Sequence, residues 1–336
     1  MAVEIKTTSV EPLRETFSNV AERLGGDKPA SRYQEATYDL QPTTNFHYHP
    51  LWDADRELYD QRRTKIVMAD WYTLLDPRQY YYGAYTITRS RQQETMEKNL
   101  KFVEERGLLS SLPDAERERL VYALVPLRHE EWGANTNNCY ITAFGWGTAL
   151  TQATMFATMD RLGLAQYLGR FGLLLDGNTG ESLDRAKQLW LEDPAWQGLR
   201  QLVEKLFVTK DWFELFVAQN LVLDGLLHPL VFERFEFQFS RRNGPTLSLL
   251  VDFMTQWFAE TSRWVDAVIK RVVEESPTNA EQLAAWIADW RQQVNVALTS
   301  YAEAIFGAEE GAVQLAEVGE AFAKRLAKLG LKAGAQ

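Results

Sequence analysis

An all-α fold is predicted for this chain of 336 residues, and three observations predict it. Long stretches carry apolar residues at helical spacing, several of them on more than one stripe. No stretch of strand-like alternation competes with them. The breaks between them hold helix-ending Gly and Pro, and helix-capping Asp and Ser.

The elements follow in order. Residues 1 to about 30 are polar and read as an arm, with a short helix near 10–24. The stretch 31–90 is aromatic but poorly periodic: Asn45-Phe46-His47-Tyr48-His49-Pro50-Leu51-Trp52, then Trp71-Tyr72, then Tyr80-Tyr81-Tyr82-Gly83. Much apolar area with little helical pattern predicts an extended segment over its own bundle or a partner. Tyr, Trp and Arg are favoured at interfaces, so 45–82 is assigned to subunit contacts. Helices then dominate. One runs over 90–106 and ends near Gly107. Asp114 is placed as the cap of the next, from Ala115 to about Arg128 or on through Ile141. Further helices are expected at 151–170, 182–191 and 197–207. Asp211 caps a long apolar helix to about Phe235. Arg241-Arg242-Asn243-Gly244-Pro245 is a break before 246–275, and Ser276-Pro277-Thr278 opens a last pair at 279–305 and 311–330. The chain thus divides into an aromatic arm (1–88), a helical bundle (89–330) and a tail (331–336). No repeat and no low-complexity segment interrupts it.

Composition narrows the function. Hydrophobic residues make up 46% and aromatics 12%, enough for a large core. A net charge of −10 argues against nucleic acid or an anionic membrane as the main partner. The single cysteine, Cys139, excludes an internal disulfide and fits a reducing compartment. It reads as a buried structural thiol in an apolar helix. No signal peptide follows Met1, and no uncharged apolar run of about 18 residues suggests a membrane span. A cytoplasmic protein is expected. No phosphate loop, nucleophile elbow or dinucleotide fingerprint is present.

The four histidines are His47, His49, His129 and His228, and none stands three residues after a Glu. A helix that offers a carboxylate and an imidazole to one metal needs that i, i+3 pair. His47 and His49 could share a face only in an extended chain, and no third ligand is near in sequence. His129 and Glu130 read as helix-surface residues.

Three bundle stretches carry a resemblance: Glu131-Trp132-Gly133-Ala134, Asp160-Arg161-Leu162-Gly163-Leu164-Ala165-Gln166 and Glu260-Thr261-Ser262-Arg263-Trp264. They resemble the ferritin-like hydroxylase subunits of bacterial multicomponent monooxygenases, the soluble di-iron enzymes that oxidise phenols, toluenes, alkenes and methane. Against that family's ligand pattern, Glu131 falls on the first Glu. Arg161 falls on the second Glu and Leu164 on its His. Thr261 falls on the Glu of the second pair, with Ser262 and Arg263 matching, and Trp264 falls on the His. In the third helix Asp224 is the nearest carboxylate, without a settled register. At least four of six ligand positions are non-ligands. This pattern is similar to the β subunits, which keep the fold and lack the iron site. Phenol hydroxylase is the nearer match, ahead of toluene monooxygenase. Arg32-Tyr33-Gln34-Glu35, Asp76-Pro77-Arg78-Gln79, Trp196-Gln197-Gly198-Leu199-Arg200 and Asp211-Trp212-Phe213-Glu214 extend the similarity over nearly the whole chain.

The resemblance implies a ferritin-like bundle and a structural role. No catalytic, cofactor-binding or metal-ligating residue is expected in this chain. It implies an (αβγ)2 hydroxylase with α and γ subunits, the di-iron centre lying in α. A reductase with FAD and 2Fe-2S brings electrons from NADH, and a small effector protein docks on the assembly. The retained Glu131 needs a partner if it is buried, and an ion pair with Arg161 across the vacated metal cavity is predicted. Two other classes stay open: an independent enzyme with a remodelled bundle pocket, and a stand-alone ferritin-like binding protein.

Overall fold

The computed structural model describes residues 16–26 and 28–331. The start of the predicted 10–24 helix and the tail beyond residue 331 lie outside them. Among the described residues there is no strand, and the fold is all-α. Two short helices, α1 (Ser18–Leu24) and α2 (Arg32–Glu35), belong to the arm. Ten more follow: α3 (Tyr82–Glu105), α4 (Asp114–Leu124), α5 (Leu127–Phe144), α6 (Thr148–Leu175), α7 (Glu181–Glu192), α8 (Pro194–Phe207), α9 (Trp212–Asn243), α10 (Thr246–Glu275), α11 (Pro277–Phe306) and α12 (Ala308–Lys328).

Local chemistry sets most of these bounds. Asp211 caps α9, accepting from the N–H groups of Phe213 and Glu214. Ser276 caps α11 ahead of Pro277 in the first turn. Three expectations need correction. Helix α3 begins at Tyr82, so it runs across the 88/89 boundary. Asp114 lies in the first turn of α4, and Pro113 holds the cap position. Pro126 divides the stretch 115–141 into α4 and α5, because a proline interrupts helical hydrogen bonding. Helix α9 is long and apolar enough to cross a membrane by length and composition, although Asp224 interrupts its apolar run. Its most apolar window is 94% buried, which makes it a core helix.

Helices α5 and α6 form a tight antiparallel pair. Helix α9 packs on α5, and α10 and α11 pack on α9, while α7 and α8 close one flank and α12 packs on α11. At the last contact the backbones nearly touch: a Cβ on Gly311 would stand 2.7 Å from Ala302 carbonyl atoms.

The aromatic segment splits in two. Residues 64–69 run extended over the bundle, with Ile66 and Met68 buried and Lys65 and Val67 outward, the period of a strand. No sheet satisfies their backbone. Instead Lys65 N–H donates to Asp211 Oδ2 (2.8 Å), Val67 N–H to Asn279 Oδ1 (3.1 Å) and Ala69 N–H to Glu275 Oε1 (2.7 Å). Trp71, Leu74 and Tyr80 are also buried in the chain's own core. Earlier in the arm, Tyr48, Leu51 and Trp52 are exposed, as are His47 and His49.

Candidate functional site

The centre of the bundle is polar. From α5 come Glu130 and Glu131, from α6 Arg161, and from α9 Gln219, Asp224 and His228; all are buried. Arg161 Nη1 donates to Glu131 Oε2 at 2.9 Å, and Nη2 donates to Asp224 Oδ2. His228 Nε2 lies 3.2 Å from Glu131 Oε1 and 3.2 Å from Arg161 Nη1. A guanidinium only donates, so Nε2 accepts from Arg161 when it carries no proton and donates to Glu131 when it carries one. Gln219 Nε2 bridges Glu130 Oε1 and Asp224 Oδ1, each at 3.1 Å, and its own Oε1 accepts from Asn137 at 2.9 Å.

Helix α9 brings its three residues together by leaving the α geometry. Val217–Leu223 and Leu230–Phe235 are π-helical, on either side of Pro229. Gln219 and Asp224 are five residues apart, one π turn, and so bond each other. His228 follows Asp224 by one α turn. Such wider turns concentrate at functional sites.

One fixed cation faces three carboxyl groups here. Burial alone would raise all three. At Glu131 the Arg161 charge and the His228 bond outweigh burial, so its carboxyl lies below the ordinary value. At Glu130 burial and the neighbouring Glu131 charge push the carboxyl well up. Burial also raises Asp224, and Arg161 only partly offsets it. Arg161 itself is held above its ordinary value: its acidic neighbours more than offset its burial. Glu131 is the counter-ion of Arg161, while the Glu130 carboxyl is pushed toward its neutral form.

Arg161 also leans on Trp257 of α10, its Cζ 4.5 Å from the ring centroid. The indole N–H of Trp257 donates to Asp160 Oδ2 at 2.9 Å. Asp160 belongs to a second ionic cluster. Arg89 binds it through two nitrogens (2.7 and 2.8 Å) and reaches Glu260 at 3.0 Å, and Tyr85 donates to it at 2.9 Å. Burial would raise Glu260, but Arg89 holds it below its ordinary value. Arg78 pairs with Asp76 at 2.9 Å and lies over Trp264. The arm is thus tied through Asp76 and Arg78 to α10.

The predicted Glu131–Arg161 pair is present, and Asp224 gains its place beside it. Leu164 and Trp264 are fully buried, and Thr261 Oγ1 and Trp264 Nε1 have no hydrogen-bond partner. These residues do not fit a di-iron centre. Arg161 occupies the carboxylate oxygens that a metal would need, and no group of three or more His, Cys, Asp or Glu among the described residues is arranged to hold an ion. The residues that sequence reasoning missed are Glu130, Gln219 and His228. Glu130 is buried, not at the surface: it shares the inward stripe of Leu127, Ala134, Asn137 and Ile141. Cys139 is exposed, not buried, on the opposite face.

His129 is half-buried, with its ring stacked on Trp190 and Nε2 unpartnered. Burial lowers its pKa from 6.5 to about 4. A depressed histidine adds stability that is full above pH 6.5 and is lost as pH falls toward the folded value. Over that interval the chain is expected to lose roughly 1–2 kcal/mol more than a His129→Phe variant, after discount for solvent access. Urea unfolding at several pH values measures the difference; parallel pH profiles would refute it.

The family model described as methane/phenol/alkene hydroxylase matches residues 52–276. The phenol 2-monooxygenase oxygenase component DmpL of Pseudomonas sp. (strain CF600) is 52% identical over 332 residues, covering 99% of both chains. The hydroxylase component subunit beta of the toluene-4-monooxygenase system of Ectopseudomonas mendocina is 26% identical, covering 87% of this chain and 90% of that one. A solved phenol hydroxylase from Pseudomonas sp. OX1 superposes with a TM-score of 0.92 at 44% identity, covering 99% of this chain and 100% of that one.

Proposed function

This chain belongs to the methane/phenol/alkene hydroxylase family, and we propose that within it the chain is a non-catalytic β-type subunit of a phenol-hydroxylating oxygenase. The observation that carries this reading is Arg161, salt-bridged to Glu131 and Asp224 at the bundle centre. A permanent cation there repels metal ions and closes the cavity. Resemblance to multicomponent monooxygenases supports the rest. The di-iron centre belongs to a partner α subunit, and the assembly is (αβγ)2. FAD and 2Fe-2S belong to a reductase fed by NADH, and an effector protein docks in the canyon between protomers. The proposed location is cytoplasmic. The domain reading becomes an arm that meets partners and a bundle that buttresses the ligand-bearing helices.

The work of this chain is mechanical. A metal site needs rigid outer support, and two interlocked ionic clusters joined by Trp257 give the bundle that rigidity. The test is co-expression with a large subunit bearing two Glu-x-x-His motifs. The chain is expected to co-purify with it, iron is expected to follow the large subunit, and phenol hydroxylation is expected to need both. Stoichiometric iron and turnover in this chain alone would overturn the reading.

A further inference from the structure

Helices α3 and α10 run antiparallel, and polar bonds tie them at both ends of a shared stretch. Arg89 Nη2 reaches Glu260 Oε1 at 3.0 Å, and further along Asn99 Nδ2 donates to the Leu249 carbonyl at 3.1 Å. Between these ties lies a groove of about 160 Å³. Phe253 lines it, and its ring meets Tyr167 edge-on with centroids 5.2 Å apart. Met96 lines it too and is itself buried. The same Met96 borders a small inner cavity of about 10 Å³, closed by Leu100, Leu168, Phe171, Leu250 and Met254. No charged or amide side chain lines that inner space.

The rim of the groove is polar. Gln92 Oε1 accepts from Arg89 Nη1 at 2.7 Å, Asn99 Nδ2 is spent on Leu249, and Gln256 Nε2 donates to Asp252 Oδ2 at 2.7 Å. Each amide thus uses one end within the protein and keeps the other. Gln92 Nε2 remains as a donor, and Asn99 Oδ1 and Gln256 Oε1 remain as acceptors. Arg91 and Asp252 line the same rim with opposite charges, which leaves the groove with no net charge. Such a rim suits a neutral polar group better than a carboxylate or an ammonium.

We propose that this groove binds one small monohydric phenol, with the ring against Met96 and Phe253 and the hydroxyl among the three amides. Size selects a single ring: an apolar cavity of about 150 Å³ takes benzene. A hydroxyl donates once and accepts twice, which matches the free amide ends. The ring adds a third aromatic to the Phe253–Tyr167 pair. Met96 is unbranched, and its thioether makes favourable contacts with aromatic rings. The inner cavity gives that side chain room to recede as the ring arrives. A long alkyl chain is refused, because the inner space holds barely one water-sized molecule. Phenol binding here requires only α3 and α10 of this chain, so the site and the β-subunit reading stand or fall separately.

The chain has 6 methionines, which serve as built-in probes. The full chain is labelled with carbon-13 at the methionine methyls, and NMR spectra are recorded as phenol is added. The Met96 and Met254 signals, identified through Met96→Leu and Met254→Leu, are expected to shift together. They are expected to saturate with a Kd on the order of 1 mM, as befits so small a ligand. Met68, buried elsewhere beside Asn279, is expected to stay fixed. Benzene lacks the hydroxyl and is expected to bind about fivefold more weakly. Thr95→Trp, at an exposed position on the rim, is expected to weaken the phenol response at least tenfold while an unchanged Met68 signal reports an intact fold. A Met96 signal that stays fixed at tenfold the expected Kd overturns the site. So does equal binding of benzene and phenol, an unaltered response in Thr95→Trp, or a parallel shift of every methionine signal.

Discussion

Arg161→Met is expected to destabilise the chain by about 3–5 kcal/mol, the cost of leaving buried charge uncompensated. Arg161 is fully buried and holds both Glu131 and Asp224. Methionine fills most of the volume but returns no donor, so the loss is electrostatic rather than a matter of packing. The sign of its pH dependence follows from Glu131. In the native protein this carboxyl lies below its ordinary value of 4.5. It therefore adds stability above that pH, and the addition is lost as pH falls through the folded value. Without Arg161, burial is opposed only by the His228 bond and is expected to raise Glu131. The variant then loses stability as pH rises above 4.5, and its gap to the wild type closes toward pH 4. The triple variant Glu131→Gln, Arg161→Met, Asp224→Asn removes the buried charges together and is expected to recover most of the loss. Urea midpoints across pH measure all three proteins. A loss below about 1 kcal/mol for Arg161→Met would show that the pair is solvated.

Trp257→Ala is expected to cost about 3–5 kcal/mol as a buried large-to-small change. Its indole is fully buried between the two ionic clusters. It donates to Asp160 and offers its face to Arg161. Trp257→Phe keeps much of the ring and removes only the donor, and is expected to cost about 1–3 kcal/mol. Combined with Arg161→Met, Trp257→Ala should fall short of additivity by more than about 0.5 kcal/mol, because both changes remove the same cation–ring contact. Strict additivity in urea unfolding would show that the clusters act independently.

Much of the fold was legible because its boundaries are local. Helix α10 runs Thr246–Glu275 as read, since Gly244-Pro245 before it and Ser276-Pro277 after it stop a helix wherever they occur. The Asp211 cap was legible for the same reason. The Glu131–Arg161 pair was legible through the register of the resemblance, which set both residues toward one cavity. Helix α5 was misread because its polarity is inverted. Glu130, Glu131, Asn137 and Asn138 are inside, while Trp132 and Cys139 are outside. Apolarity marks the inner face only where the facing core is apolar, and the centre that α5 faces is polar.

By itself, then, the sequence determined the all-α class and most helix ends, because caps and breakers are local properties. The tertiary structure alone decided which face of α5 is buried and how Gln219, Asp224 and His228 converge. It also decided that one half of the aromatic arm closes the chain's own core while the other half stays exposed. Those outcomes depend on partners far apart in sequence. A buried carboxyl is tolerated only where another helix delivers its counter-ion. An exposed tryptophan is explained only by the surface around it.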